Sequence, residues 1–327
     1  MLYLILLFIL GLGALYLGAD WLVRGASAIA LRLGIRPMVI GLTIVAVGTS
    51  MPELLLNVVA VLDGQDALAI GNIVGSNIAN IALILGITAL LLPLTVEPEA
   101  LKKEYPMMLG ITLLFWFLAS NGRIGRIDGI ILVACLFAFM AYILIANRRS
   151  SAPPVDLPLE EEKEGAVGDT LIARLRSSTW GRVAYVVFGM VMLAIGADLL
   201  VDSAVGMADI LGIHPGVIGL TALAVGTSLP ELAASLVSAL RGESDLSVGN
   251  VLGSNMLNIM FVVGLVALIQ PMTIDPDALR LHFPIMVGFT LLLFPLAWTH
   301  QRINRYEGGL LLSGFVAYFA YLLVPYF

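Results

Sequence analysis

Glu53 and Glu231 each follow a proline inside a long apolar run, in GTSMPE (48–53) and GTSLPE (226–231). A carboxylate in hydrocarbon is costly and is kept where it faces a bundle interior or a wet cavity on an ion or proton pathway. The same oxygen donors recur around each glutamate. Thr49 and Glu53 are four apart, on one helical face with Ser50 beside them, and Thr227, Ser228 and Glu231 repeat the pattern. In the next apolar run Ser76 and Asn80 are four apart, as are Ser254 and Asn258. Proline has no N–H for the carbonyl four residues back and its ring clashes there. For Pro52 that carbonyl belongs to Gly48, with Val47 and Ala46 expected to loosen; for Pro230 the groups are on Gly226, Val225 and Ala224. Carbonyls freed in a bilayer must be buried in protein or line a wet cavity. The inventory is carboxylates, hydroxyls, amide oxygens and carbonyls, without imidazole or thiolate. It suits calcium and sodium, and also magnesium or manganese, and is poor for zinc or copper. Two ionised glutamates supply a charge that one calcium ion neutralises, or that sodium ions or protons neutralise singly. An uncompensated buried pair would be expensive. If only loaded states cross between faces, such a device exchanges ions and does not leak them.

Bland roles compete with these. Thr, Ser and Asn in membrane helices often serve as interhelical hydrogen-bond glue, and Ser76 or Asn72 alone fits that role equally well. Gly71, Gly75, Gly249 and Gly253 are spaced for close helix contact and are expected to pack, not to bind ions. Asp20 and Asp198 are expected to pair with nearby Arg24 or to cap helices. His214, His282 and His300 fall near loop ends and carry no assigned role. Trp21, Trp180, Tyr321 and Tyr326 suit interfacial anchoring.

The elements that must position these residues are membrane helices. Of the 327 residues 60% are hydrophobic and 12% charged, with mean hydropathy +1.00 and formal charge −6. A soluble domain would carry more charge, and the apolar runs approach or exceed the roughly 20 residues that cross a bilayer. They do not alternate as barrel strands would. Ten segments emerge, at about 2–32, 37–62, 68–92, 105–120, 128–147, 181–202, 215–240, 246–270, 281–299 and 308–326. The first lacks a basic leader and a small-residue cleavage site, and is expected to be a retained helix. The single cysteine, Cys135, leaves no internal disulfide. Nothing in the charge points to nucleic acid. All of the 17 Lys and Arg except Arg123, Arg126 and Arg280 fall on one side of this topology. The positive-inside rule then puts the central stretch 148–180 in the cytoplasm and both termini outside. That stretch, RRSSAPPVDLPLEEEKEGAVGDTLIARLRSST with its flank, is a hydrophilic connector, with a short amphipathic helix expected near Leu171 to Leu175.

Shifted by 178, the chain matches itself. GLTIVAVGTSMPE (41–53) meets GLTALAVGTSLPE (219–231), and GNIVGSNIANIALILG (71–86) meets GNVLGSNMLNIMFVVG (249–264). Farther on the register slips by one, and RIGRIDG meets RINRYEG. Five helices per half is an odd number, so the second half enters the membrane from the opposite side. The expected fold is therefore an all-α integral membrane protein of ten transmembrane helices, built as two inverted five-helix repeats: 1–147, the linker 148–180, and 181–327. Secondary transporters use this plan, with the site near the midplane where the repeats meet.

These paired motifs resemble the two alpha repeats of the cation/calcium antiporter superfamily, most closely the microbial sodium/calcium exchangers of the inner-membrane type. The resemblance implies that the ion cluster lies between helices 2, 3, 7 and 8, and that the first and sixth helices slide against that core. It implies Glu53 and Glu231 as the central carboxylates for calcium. The carbonyls of Ala46 and Ala224, with Thr49, Ser50, Thr227 and Ser228, would complete calcium and sodium sites; Ser76 and Ser254 would serve outer sodium sites, and Asn80 and Asn258 would flank the middle. Some members carry Asp where this chain has Asn258, and Asn removes a charge and a proton carrier there.

The expected function is a sodium/calcium antiporter in the inner membrane, with no cofactor, calcium and sodium as transported ions, the bilayer as surroundings, and no requirement for an oligomer. A proton/calcium or manganese antiporter on the same scaffold uses the same glutamates. An intramembrane enzyme with Glu53 and Glu231 as an acid/base pair lacks a nucleophile, HExxH or cofactor motif. A passive channel is the remaining alternative.

Overall fold

In the computed structural model the described residues are 1–149, 179–213 and 225–324. Residues 150–178 of the linker with its expected amphipathic helix, His214, Ala224 and Tyr326 lie outside them.

The first apolar run folds as one long helix, α1 (Leu2–Leu33), which ends at Gly34 in the left-handed region at φ 61°. That backbone is open to glycine without the Cβ penalty of other residues. The second run is broken as its proline requires. Helix α2 (Pro37–Thr49) and α3 (Met51–Leu62) meet at a 42° bend, with Ser50 as the single residue between them. Pro52 therefore sits in the first turn of α3, where its missing N–H costs nothing. The chain continues through α4 (Asp66–Leu91), the short α5 (Pro98–Lys102), α6 (Glu104–Ala119) and α7 (Arg126–Arg149). The second half holds α8 (Thr179–Ile210), α9 (Leu229–Leu240), α10 (Ser244–Ile269), α11 (Ala278–Gln301) and α12 (Arg305–Leu323). Among the described residues seven helices are long and apolar enough to span a membrane, and the bent pair α2/α3 makes an eighth. The shorter α6 and α9 occupy the two remaining apolar segments of the sequence.

The two halves meet through contacts that recur in swapped order. A Cβ on Gly11 would lie 3.0 Å from the Gly196 carbonyl, and one on Gly18 would lie 2.9 Å from that of Gly189. Gly189 and Gly196 are the residues 178 beyond Gly11 and Gly18. So α1 and α8 cross with backbones nearly touching, as small residues allow where lipid gives no hydrophobic drive. Gly86 meets Gly308 in the same way, and Gly129 meets Gly264.

Two short antiparallel ladders, absent from an all-helical expectation, show the same exchange. Strand β1 (Leu94–Thr95) pairs with β4 (Arg302–Ile303), and β2 (Arg123–Ile124) pairs with β3 (Met272–Thr273). They satisfy backbone groups at the helix ends, where a sharp turn would leave them bare. The helices that follow β2 and β4 start alike. Asp128 accepts the Gly125 N–H at 2.7 Å, and Glu307 accepts the Asn304 N–H at 2.7 Å in a capping box. At the start of α2, Arg36 bridges Glu97, Glu99 and Glu104, each at 3.1 Å, tying that helix to α5 and α6.

Of the four glycines expected to pack, two do. A Cβ on Gly249 would sit 2.5 Å from the Met38 carbonyl, and one on Gly253 would sit 2.6 Å from Leu42 Cα, so α10 lies directly on α2. Gly71 and Gly75 have no described atom within 4 Å of that position; residues 214–224, the counterpart of this part of α2, lie outside the described residues. Trp21, expected as an interfacial anchor, packs edge-on against Tyr185 of α8 at 6.3 Å, whereas Trp180 and Tyr321 are exposed.

Candidate functional site

The break between α2 and α3 carries Thr49, Ser50 and Glu53 into the interior, all three buried. Ser228 and Glu231 at the start of α9 are buried as well, and Thr227 is half-buried. Both glutamates have zero exposure. They belong to one cluster: the hydroxyl of Ser50, three residues before Glu53, donates to Glu231 Oε1 at 3.3 Å. Two motifs 178 residues apart thus touch across the repeats.

One expectation about the backbone is corrected. The Ala46 carbonyl is not loosened by Pro52; it accepts the Ser50 N–H at 3.0 Å and the Thr49 hydroxyl at 3.4 Å. The break lies two residues nearer the proline, at the Gly48 carbonyl for which Pro52 has no donor. Ala224 falls outside the described residues.

A polar belt surrounds the glutamates, and each bond has a counterpart in the other half. Asn57 donates to Asn72 at 2.8 Å, and Asn250 donates to Ser235 at 2.9 Å. Asn72 in turn donates to Thr227 at 3.1 Å, while Thr49 donates to Asn250 at 3.4 Å. Lower in the bundle Asn80 donates to Asn255 at 3.0 Å and Asn258 donates to Asn77 at 3.5 Å. Asn77 and Asn255, which accept those bonds through Oδ1, donate their own amide N–H to the sulfurs of Met286 and Met108, each at 3.7 Å. The amide N–H groups are engaged in bridging, and the amide oxygens of Asn57, Asn80 and Asn258 are left without a partner.

The unpaired buried oxygens include Glu53 Oε1 and Oε2, Glu231 Oε2, Ser76 Oγ, Ser228 Oγ, Ser254 Oγ, Asn80 Oδ1 and Asn258 Oδ1. Buried polar atoms ordinarily find partners, and acceptors left bare in this concentration are of the oxygen type that hard cations take as ligands.

Two features of the site were not anticipated. The helices carrying Asn80 and Asn258 widen at these residues into π-turns, Asn80–Ile84 and Asn258–Val263. Such bulges shift the side-chain phase and concentrate at functional sites. The belt residues Asn57, Asn77, Ser235 and Asn255 were also missed; a polar residue with a mirror partner in a buried run was the available signal, and Asn77/Asn255 meet it. Above the glutamates, Gly48 leaves room for Met190 and Gly226 for Val201, both on α8. The glycine of each GTS motif thus admits the same long helix against the site. Asp20, expected to pair with Arg24, does so at 2.9 Å and also pairs with Arg241.

A bundle of long apolar helices, broken next to a buried carboxylate pair in a belt of neutral oxygens, is a membrane transporter of cations. The profile of the sodium/calcium exchanger protein family matches residues 3–145 and 182–324, and the chain belongs to that family. It is 39% identical to the putative antiporter CaxA of Alkalimonas amylolytica over 95% of both chains. It is 33% identical to the sodium/calcium exchanger MaX1 of Methanosarcina acetivorans over 97% of both. The inner membrane protein YrbG of Escherichia coli is 35% identical over 97% of this chain and 95% of its own. Among solved structures, the sodium-calcium exchanger NCX_Mj soaked with sodium and strontium superposes with TM-score 0.80 at 31% identity, covering 98% of this chain and 99% of that one. The protein is therefore a membrane antiporter and not an enzyme, of a family whose ions are sodium and calcium and which uses no cofactor.

Proposed function

We propose that this chain exchanges sodium for calcium by alternating access, with calcium held between Glu53 and Glu231. The carrying observation is that both glutamates are fully buried and retain unpaired oxygens, three of their four between them. Charge in such a place demands a counter-charge. One calcium supplies it, and sodium ions supply it singly. Thr49, Ser50, Thr227 and Ser228 complete the donor set with the carbonyls of Ala224 and Ala46, the latter turning to the ion as the long Thr49 hydroxyl contact gives way; Ser76 and Ser254 serve flanking sodium sites, and Asn80 and Asn258 bound the middle. Because position 258 is Asn, the central charge stays with the two glutamates, which favours sodium over protons as the coupling ion.

The scaffold belongs to the same proposal. Ten membrane helices form two inverted repeats, 1–147 and 181–327, joined by the connector 148–180. The swapped contacts Gly11/Gly196 with Gly18/Gly189, and β1/β4 with β2/β3, support it. They are what a two-fold axis between the halves would produce. Charge places the connector in the cytoplasm and both termini outside. One chain holds every donor, so no oligomer is needed.

The test is uptake of radiolabelled calcium into proteoliposomes holding the purified full chain. An outward sodium gradient is expected to drive uptake, and a proton gradient alone is expected not to. Uptake driven by protons without sodium makes the protein a proton/calcium antiporter instead, and uptake needing no counter-ion makes it a channel.

A further inference from the structure

The two halves repeat their backbone but not their charges. Under the 178-residue shift Asp20 corresponds to Asp198, Arg24 to Asp202, and Arg241 to Asp63. At one corner, Asp20 of α1 is buried and pairs with both Arg24 and Arg241, the residue that follows α9. The mirror corner, defined by the matching positions on α8 and just after α3, carries three aspartates and no base. Asp198 and Asp202 are one helical turn apart on α8.

Packing is unequal in the same sense. Leu15, Ala19, Leu22 and Val23 of α1 form one buried cluster with Ala234 and Val237 of α9. Val237 is 5% exposed, whereas Val59, its counterpart on α3, is 58% exposed. So α1 is seated on α9, and α8 is not seated on α3. An inverted repeat has a second conformer in which these relations are exchanged. In that conformer α8 covers α3, α1 leaves α9, and Asp198 approaches Asp63 with Asp202 beside it. Opposite charges close the first corner; like charges oppose closing the second.

We propose that the Asp20–Arg241 ion pair is a latch that holds the sliding helix α1 on the ion-binding core and biases the exchanger toward the conformer described here. Asp63, Asp198 and Asp202 keep the mirror corner without a latch. Asp20 and Arg241 are positioning residues: they touch no transported ion and act through the seat of α1. The two end states of the cycle therefore differ in energy although the repeats share a backbone plan. A ligand that binds both states equally leaves this bias unchanged.

The inference rests on the inverted-repeat transporter proposed above, and its test reads conformation, not flux. Spin labels are placed on Gln65→Cys and Leu211→Cys in a Cys135→Ser background, in the full chain in proteoliposomes. These positions flank the acidic corner and leave all its aspartates in place. Pulsed dipolar spectroscopy then reports a long distance for the present conformer and a short one for its exchange. Asp20→Asn and Arg241→Gln are each expected to raise the short-distance population about fivefold, as loss of a partly exposed ion pair allows. Asp63→Arg, which supplies a base facing Asp198, is expected to raise it as well with the original latch intact. An unchanged distribution in Asp20→Asn and Arg241→Gln overturns the latch. If both fail to fold, Asp63→Arg decides alone, and an unchanged or longer distribution there overturns the asymmetry. Sodium-driven calcium uptake by the unmutated chain separates this failure from failure of the exchanger assignment.

Discussion

Glu53 and Glu231 occupy equivalent places in two copies of one motif, yet their surroundings differ. Glu231 Oε1 receives the Ser50 hydroxyl at 3.3 Å, whereas both oxygens of Glu53 are unpaired and the Ser228 hydroxyl is unpaired too. Asn57 holds the main-chain carbonyl of Glu53 at 2.6 Å, while Asn250 reaches that of Glu231 at 3.4 Å. In the first copy the neighbour at position 57 is Asn; in the second, Ser235 stands there. A duplicated backbone therefore does not give duplicated solvation. One carboxylate is partly satisfied by the protein, and the other depends more on the ion it meets.

The strongest way to break this comparison is to remove either charge. Glu53→Gln and Glu231→Gln are each expected to lower sodium-driven calcium flux by at least about a hundredfold, since one partner of a buried charged set is lost. The purified variants should still elute as folded protein. Normal flux in either one would remove that glutamate from the site.

The halves are most alike where α1 crosses α8, and a second pair of variants tests whether that likeness matters. A Cβ at Gly18 would lie 2.7 Å from the Leu193 nitrogen, while Gly13, on the same helix, has no described atom within 4 Å. Gly18→Leu is expected to cost about 1–3 kcal/mol through overpacking, read as a lower midpoint of thermal unfolding in detergent. Gly13→Leu is expected to shift it little. Equal shifts would mean that the crossing is not close-packed.

The smallest effect sharpens the contrast between the glutamates themselves. Ser50→Ala removes a hydroxyl that donates to Glu231 at 3.3 Å and is expected to weaken calcium affinity severalfold, about 1 kcal/mol. Ser228→Ala is expected to do less. Calcium competition against sodium measures both, and the opposite order would show that the unpaired hydroxyl is the better ligand.

Much of the site could be read from the chain because its signals are local. A proline four residues after a glycine interrupts a helix wherever it sits, and a glutamate after it in hydrocarbon needs a partner. The self-match gave the pairing of Thr49 with Thr227, Ser76 with Ser254 and Asn80 with Asn258 without coordinates. The Ala46 carbonyl went wrong because a neighbouring hydroxyl and an N–H, Thr49 and Ser50, capture it once the chain bends. The amides of Asn77 and Asn255 carry no local signal, since their partners lie 147 to 209 residues away by sequence.

The amino-acid sequence by itself determined that this chain lives in a membrane, that it repeats, and that its donors are oxygens. Hydropathy, periodicity and side-chain chemistry are properties of short stretches, and a bilayer enforces them helix by helix. Only the tertiary structure decided that Ser50 serves the other repeat's glutamate, that α10 rests its glycines on α2, and that Asp20 meets Arg241. Such choices depend on which faces pack together. Two nearly identical motifs in unequal surroundings show that packing, and not the motif, sets how each charge is held.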